Sequence, residues 1–168
     1  MVTSEPDAQG FISQGSSFLL QFNSKVYRIS NAHVCEDNEK MYVKGKFEKV
    51  LLTNEDLDIC IIHTDATEGL SLAVGSPIIT NKVSSYGYVA GGLLIIREGR
   101  IMSFGPDGVL SSMEVIEGMS GGPTVDSNGN VLGVTTAYFA VEISEHTLLK
   151  IGVSMNRDAI IKVIKDLK

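Results

Sequence analysis

The stretch Gly118-Met119-Ser120-Gly121-Gly122-Pro123 sets a serine among glycines in a tight turn that ends in proline. A serine hydroxyl becomes a useful nucleophile only when a neighbouring base takes its proton. Backbone N–H groups converge on a developing oxyanion only where the chain folds sharply and no side chain intrudes. Outward from the turn, Ile29-Ser30-Asn31-Ala32-His33-Val34-Cys35 places His33 directly after a predicted strand. Asp56-Leu57-Asp58-Ile59-Cys60-Ile61-Ile62 places an acid at the mouth of an apolar one. Nucleophile, base and orienting carboxylate are therefore all present, in the chain order His33, Asp58, Ser120.

Around these motifs the chain reads as β structure. Runs of Val, Ile, Leu, Phe and Tyr at Phe11 to Phe22, Lys25 to Ser30, Met41 to Val43, Phe47 to Thr53 and Ile59 to His63 predict one small barrel. A second follows from Val83 to Val89, Leu93 to Phe104, Val109 to Ile116, Val131 to Phe139 and Thr147 to Met155. Gly91-Gly92, Pro106-Asp107-Gly108 and Asn128-Gly129 punctuate it. Thr64 to Pro77 has weak periodicity and serves as the connection. Only the tail changes period: Asn156-Arg157-Asp158 caps a helix whose Ile160, Ile161, Val163, Ile164 and Leu167 recur at helical spacing, with Lys162, Lys165 and Lys168 opposite.

Composition bounds the function. The 168 residues make one domain, 43% apolar, and 17 glycines beside abundant Val and Ile fit a turn-rich β protein rather than a helical bundle. A net charge of −6 without a Lys/Arg cluster offers no footprint for nucleic acid or anionic lipid. No apolar run approaches the roughly 20 residues of a membrane span. The amino end lacks the basic start and apolar run of a secretory signal, which gives the expectation of a cytoplasmic protein. Cys35 and Cys60, too few for a disulfide framework, read as small buried free thiols in a reducing compartment.

Gly-x-Ser-Gly-Gly-Pro with an upstream Ala-His and an Asp-Ile-x-Ile strand resembles the chymotrypsin-fold (trypsin-like) serine proteases. Finer features are similar to a compact HtrA-like protease domain without PDZ: Gln14-Gly15-Ser16-Ser17-Phe18-Leu19, Tyr86-Gly87-Tyr88, Arg97-Glu98-Gly99-Arg100-Ile101-Met102-Ser103, Gly133-Val134-Thr135-Thr136-Ala137 and Gly152-Val153-Ser154-Met155. The resemblance implies an all-β fold of two six-stranded Greek-key barrels with a C-terminal α-helix. The N-terminal barrel would span about 10–65, the linker about 64–77, the C-terminal barrel about 78–155 and the helix about 156–167, with the site in the cleft between barrels.

It also implies a serine endopeptidase acting on protein or peptide substrates without metal or cofactor, as a monomer or trimer. Ser120 would be the nucleophile, His33 the general base and Asp58 the orienting acid, with an oxyanion hole from Gly118 and Ser120. Thr136 would be a hydrogen-bond partner of that acid. Val115, Ile116, Thr135, Thr136, Ala137 and Tyr138 would line the specificity pocket and favour apolar side chains, whereas Glu114 falls where trypsin-like pockets carry a selective acid. Met119 replaces the aspartate that pairs with a freed amino terminus, so activity without amino-terminal processing is expected.

Rival readings use the same residues. Asp56 shares a predicted strand face with Asp58 but reads as a solvated turn residue. Gly118 to Gly122 also matches a Gly-x-Ser-x-Gly nucleophile elbow, with Asp126 and His146 in the right order, yet an elbow opens into a helix and Pro123 signals otherwise. His33-x-Cys35 and Cys60-x-x-His63 could supply zinc ligands, but on a strand positions 60 and 63 face opposite ways. An inert scaffold of the same fold, or a protease that cuts only its own precursor, completes the alternatives.

Overall fold

The computed structural model describes residues 1–167; Lys168, expected at the end of the closing helix, lies outside the described residues. The first sheet uses β1 (Val2–Thr3), β2 (Gln14–Gly15), β3 (Phe18–Phe22), β4 (Lys25–Ser30), β5 (Lys40–Val43), β6 (Lys46–Asn54) and β7 (Ile59–Ile62). A short helix α1 (Ala32–Cys35) leaves β4. The second sheet uses β8 (Lys82–Val89), β9 (Leu93–Phe104), β10 (Gly108–Ser111), β11 (Pro123–Val125), β12 (Val131–Ser144) and β13 (Thr147–Asn156), and α2 (Arg157–Asp166) closes the chain.

The second sheet is a closed barrel in the order β10-β13-β12-β11-β8-β9, whereas the first is a seven-stranded sheet, β2-β1-β5-β6-β7-β4-β3, that stays open. The expected six-stranded first barrel is thus corrected. Two residues at the amino end add β1 between β2 and β5, and the chain between β2 and β3 spends its polar groups elsewhere. The Ser16 N–H donates to the Ser120 carbonyl and the Ser16 carbonyl accepts from the Ser30 hydroxyl. The β5–β6 hairpin, with its lysines, is interior to the sheet and buries Glu48 against Lys46 and His63. The strand expected through Ile116 stops at Ser111; beyond it Met113 and Val115 turn inward and pack with Met119.

β7 explains its own unbroken apolar sequence. Ile59 and Ile61 point into a core shared with Leu20, Ile29, Val131, Val134 and the helix residues Ile160 and Val163, while Cys60 and Ile62 point into a second core with Val2, Val34 and Met41. A strand buried on both faces reads as continuous rather than alternating hydrophobicity. α2 starts where the sequence predicts: the Asn156 side chain accepts from the Ala159 N–H at 2.9 Å, and Ala159, Ile160, Val163 and Ile164 are buried on the seam between the sheets.

Cys35 and Cys60 are joined in a disulfide that bridges α1 to β7. This corrects the reading of free thiols, and the reducing compartment read from them loses that premise. Sequence separation hid the pairing: the half-cystines stand 25 residues apart and meet only because α1 folds back over β7. Closing a loop of that length restricts the unfolded chain by about 3 kcal/mol. A Cys35→Ala/Cys60→Ala double variant is therefore expected to lose roughly 2–4 kcal/mol in urea unfolding, and reductant should destabilise the parent but not the variant.

Candidate active site

Two sheets supply the site from opposite sides. On the first, α1 carries His33 and the turn before β7 carries Asp58, whose backbone is left-handed at φ 47°. That turn aims the carboxylate back at α1: Asp58 Oδ1 accepts the His33 backbone N–H at 3.0 Å, and Oδ2 lies 2.9 Å from His33 Nδ1. A side chain gripped at both ring and main chain cannot swing freely. Asp56 stays exposed in the same turn. The disulfide lies two residues beyond His33 and two beyond Asp58, so it ties together the two segments that carry the pair.

On the second sheet, the loop between β10 and β11 carries Ser120. Gly118 has φ 93° and Gly121 φ 88°, a region costly for any residue with a Cβ. A side chain at Gly121 would also strike the Ser16 carbonyl and the Ser30 hydroxyl, and one at Gly122 the Tyr86 carbonyl. The Gly118 carbonyl accepts from Ser16 Oγ at 2.7 Å, which leaves its peptide plane fixed. Among the described residues, the N–H groups of Gly118 and Ser120 have no protein acceptor. Pro123 opens the strand β11 rather than a helix, which removes the nucleophile-elbow reading, and His146 sits at the exposed tip of the β12–β13 hairpin.

His33, Ser120, Val115, Ile116, Thr136, Ala137 and Tyr138 line one cleft of about 860 Å³ between the sheets. Ser120 Oγ donates to the Thr136 carbonyl at 2.8 Å rather than to the His33 ring. Thr135, expected in the wall, lies beneath it, fully buried and bonded to the Thr124 and Ser85 hydroxyls. Thr136 reaches the acid only indirectly: Asn31 Nδ2 donates both to Thr136 Oγ1 at 3.1 Å and to the Asp58 main-chain carbonyl at 2.8 Å. Glu114 is at the cleft, but Lys150 Nζ approaches it at 3.2 Å and Arg97 at 3.8 Å, so its charge is compensated. Asn31 and Ser16 were not singled out by sequence. Both act through partners more than a hundred residues away, although Asn31 adjoins the Ala-His motif. Cys35 and Cys60, being bonded to each other, offer no thiolate to a metal.

The match to known proteins agrees with this architecture. The family model for the trypsin-like peptidase domain covers residues 15–134, more than half of the chain, and the chain belongs to that family. No curated protein matches it significantly. Among solved structures it is similar to the active form of the Rv3671c protease from M. tuberculosis. There the identity is 21% and the TM-score 0.77, with 99% of this chain and 78% of that chain covered. It is also similar to a serine endoprotease from Yersinia pestis, at 22% identity and TM-score 0.76 over 99% of this chain and 61% of that one. A third is the HtrA-type protease AlgW with decapeptide, at 19% identity and TM-score 0.73 over 91% of this chain and 51% of that one. The chain thus spans about half the length of AlgW. At these identities the likeness shows a shared chymotrypsin-like fold.

The electrostatics of the pair follow from its geometry. The hydrogen bond to Asp58 raises the His33 pKa above its ordinary 6.5, partly offset by burial. A raised folded pKa means that the pair stabilises the fold fully below the unfolded value and that this contribution fades as pH rises through the folded one. An NMR titration of the His33 ring should therefore give a midpoint above 6.5 in the parent and a lower midpoint in Asp58→Asn.

Proposed function

We propose that this chain is a serine endopeptidase in which Ser120 is the nucleophile, His33 the general base and Asp58 the orienting acid. The observation that carries the reading is that Ser120 and an Asp58-paired His33 open onto one cleft. Asp58 holds Nδ1, which leaves Nε2 as the basic nitrogen. Rotation of the Ser120 hydroxyl from the Thr136 carbonyl towards Nε2 completes the relay. Ser120 Oγ then attacks a peptide carbonyl as its proton passes to His33, and the tetrahedral oxyanion is met by the N–H groups of Gly118 and Ser120. His33 returns the proton to the leaving amine, an acyl-enzyme forms, and water activated by His33 releases the second product.

The cleft wall suits a small or medium apolar side chain before the scissile bond. Val115, Ile116 and Ala137 line it, and Glu114 is already matched by Lys150 and Arg97. Met119 is fully buried with Met113 and Val115 beneath the loop. The loop is thereby supported by apolar packing rather than by an ion pair, which fits activity without amino-terminal cleavage. A second reading, an inert binding protein of the same fold, is favoured by the Ser120 hydroxyl resting on Thr136.

A fluorophosphonate probe and unfolded casein separate the two. Labelling of Ser120 and cleavage of casein are expected, with cleavage lower by at least about four orders of magnitude in Ser120→Ala. A folded chain that neither labels nor cuts is the scaffold instead.

A further inference from the structure

Arg28 carries a charge that the fold leaves unpaired. It stands on β4 between Leu19 and Ile62 and is only 8% exposed. Its Nη1 donates to Ser17 Oγ at 3.1 Å, while its Nε has no partner. Among the described residues no carboxylate pairs with it. Glu48 is near enough to attract it, but one Glu48 oxygen is held by Lys46 at 2.6 Å and the other by His63 at 2.9 Å. Burial accordingly pulls the Arg28 pKa below its ordinary value, with Glu48 offsetting part of the effect. A buried cation without a counter-ion destabilises a fold, and this one faces a cavity.

That cavity measures about 490 Å³, and Arg28 shares its wall with the exposed Lys44. Lys44 likewise forms no ion pair among the described residues. Glu68, also exposed, is the one acid on the wall, so positive charge is in excess. Ser17, Phe18, Leu70 and Tyr88 line both this cavity and a second of about 350 Å³, so the two adjoin. The second lies between the sheets, walled by Phe18, Tyr86, Leu94, Pro123 and Val125. Its serine hydroxyls are already engaged: Ser16 Oγ donates to the Gly118 carbonyl and accepts from the Tyr88 N–H, and Ser17 Oγ accepts from Arg28. A molecule spanning both cavities would meet apolar surface at one end and an unpaired guanidinium at the other.

We propose that the adjoining cavities bind a medium-chain fatty carboxylate, its anionic head on Arg28 and Lys44 and its alkyl chain against Phe18, Tyr86, Leu94 and Val125. The guanidinium fork matches the two oxygens of a carboxylate. An alkyl chain suits the apolar half better than a peptide, whose buried amides would need partners there. A chain of roughly eight to ten carbons is in proportion to a cavity of this size. The site shares no lining residue with the cleft at Ser120 and stands independently of the peptidase reading.

The test is calorimetric titration of the full chain with decanoate. Saturable one-to-one binding is expected, tighter than that of octanoate by about tenfold, the increment of two buried methylenes. Decanol, which keeps the chain and lacks the charge, should bind at least about tenfold more weakly than decanoate. Arg28→Met should lose the preference for decanoate over decanol, yet melt no lower than the parent when no ligand is present, because it removes an unpaired buried charge and keeps an apolar stem. Leu94→Glu, at a half-exposed position, should weaken decanoate without disturbing the core. Glu68→Gln should tighten it about two- to threefold by removing a like charge from the wall.

Equal affinity for decanoate and decanol, unchanged decanoate binding in Arg28→Met, or no saturable binding to a folded parent would each overturn the inference. An apolar peptide that outbinds decanoate, and loses that advantage when its carboxyl terminus is amidated, would also overturn it and assign the site to chain termini. So would a dimer in sedimentation that Leu94→Glu dissociates and decanoate leaves intact, which would assign these walls to a second copy of the chain.

Discussion

Ser16 is the knot that the rest of the molecule depends on. Its N–H donates to the Ser120 carbonyl and its Oγ to the Gly118 carbonyl. That same oxygen accepts from the Tyr88 N–H, and its own carbonyl accepts from Ser30 Oγ. Every polar group of one fully buried residue is thereby used to tie the first sheet, β8 and the glycine loop together. Buried polar groups must be paired or they cost stability, so the four bonds stand or fall as a set. The glycines follow from this closeness: Gly15, Gly121 and Gly122 sit where any side chain would meet backbone of another element.

Because Ser120 and His33 come from different sheets, their separation is a property of that seam and not of either sheet alone. The first sheet holds His33 stiffly. Asp58 grips His33 twice, Asn31 holds the Asp58 carbonyl, and the disulfide closes the segments behind them. On the second sheet the Ser120 side-chain torsion aims Oγ at the Thr136 carbonyl. Rigid supports with a single rotatable hydroxyl suit the proposed peptidase, which would have to present the same atoms to successive substrates.

The two sheets also solve the edge problem differently. The second closes on itself, and the first stays open at β2 and β3 and is covered there by the seam and by the segment around Leu70, which bridges to Leu20. The β12–β13 ribbon is the exception, since its outer edge and its apolar face both remain uncovered.

Much of this was legible in the chain because it is written locally. The order His33, Asp58, Ser120, the glycines around Ser120, the capped α2 and the long runs that become β4, β9 and β13 all follow from neighbours in sequence, where turn chemistry and period act directly. What the tertiary structure decided depends on contacts between distant residues. The pairing of Cys35 with Cys60, the insertion of β1, the unpaired β2 and β3 edges that leave the first sheet open, the burial of Thr135 under the cleft, the Asn31 bridge to Thr136 and the knot at Ser16 belong to this group. Such pairings are selected by which surfaces exclude water together, and no local spacing encodes that choice.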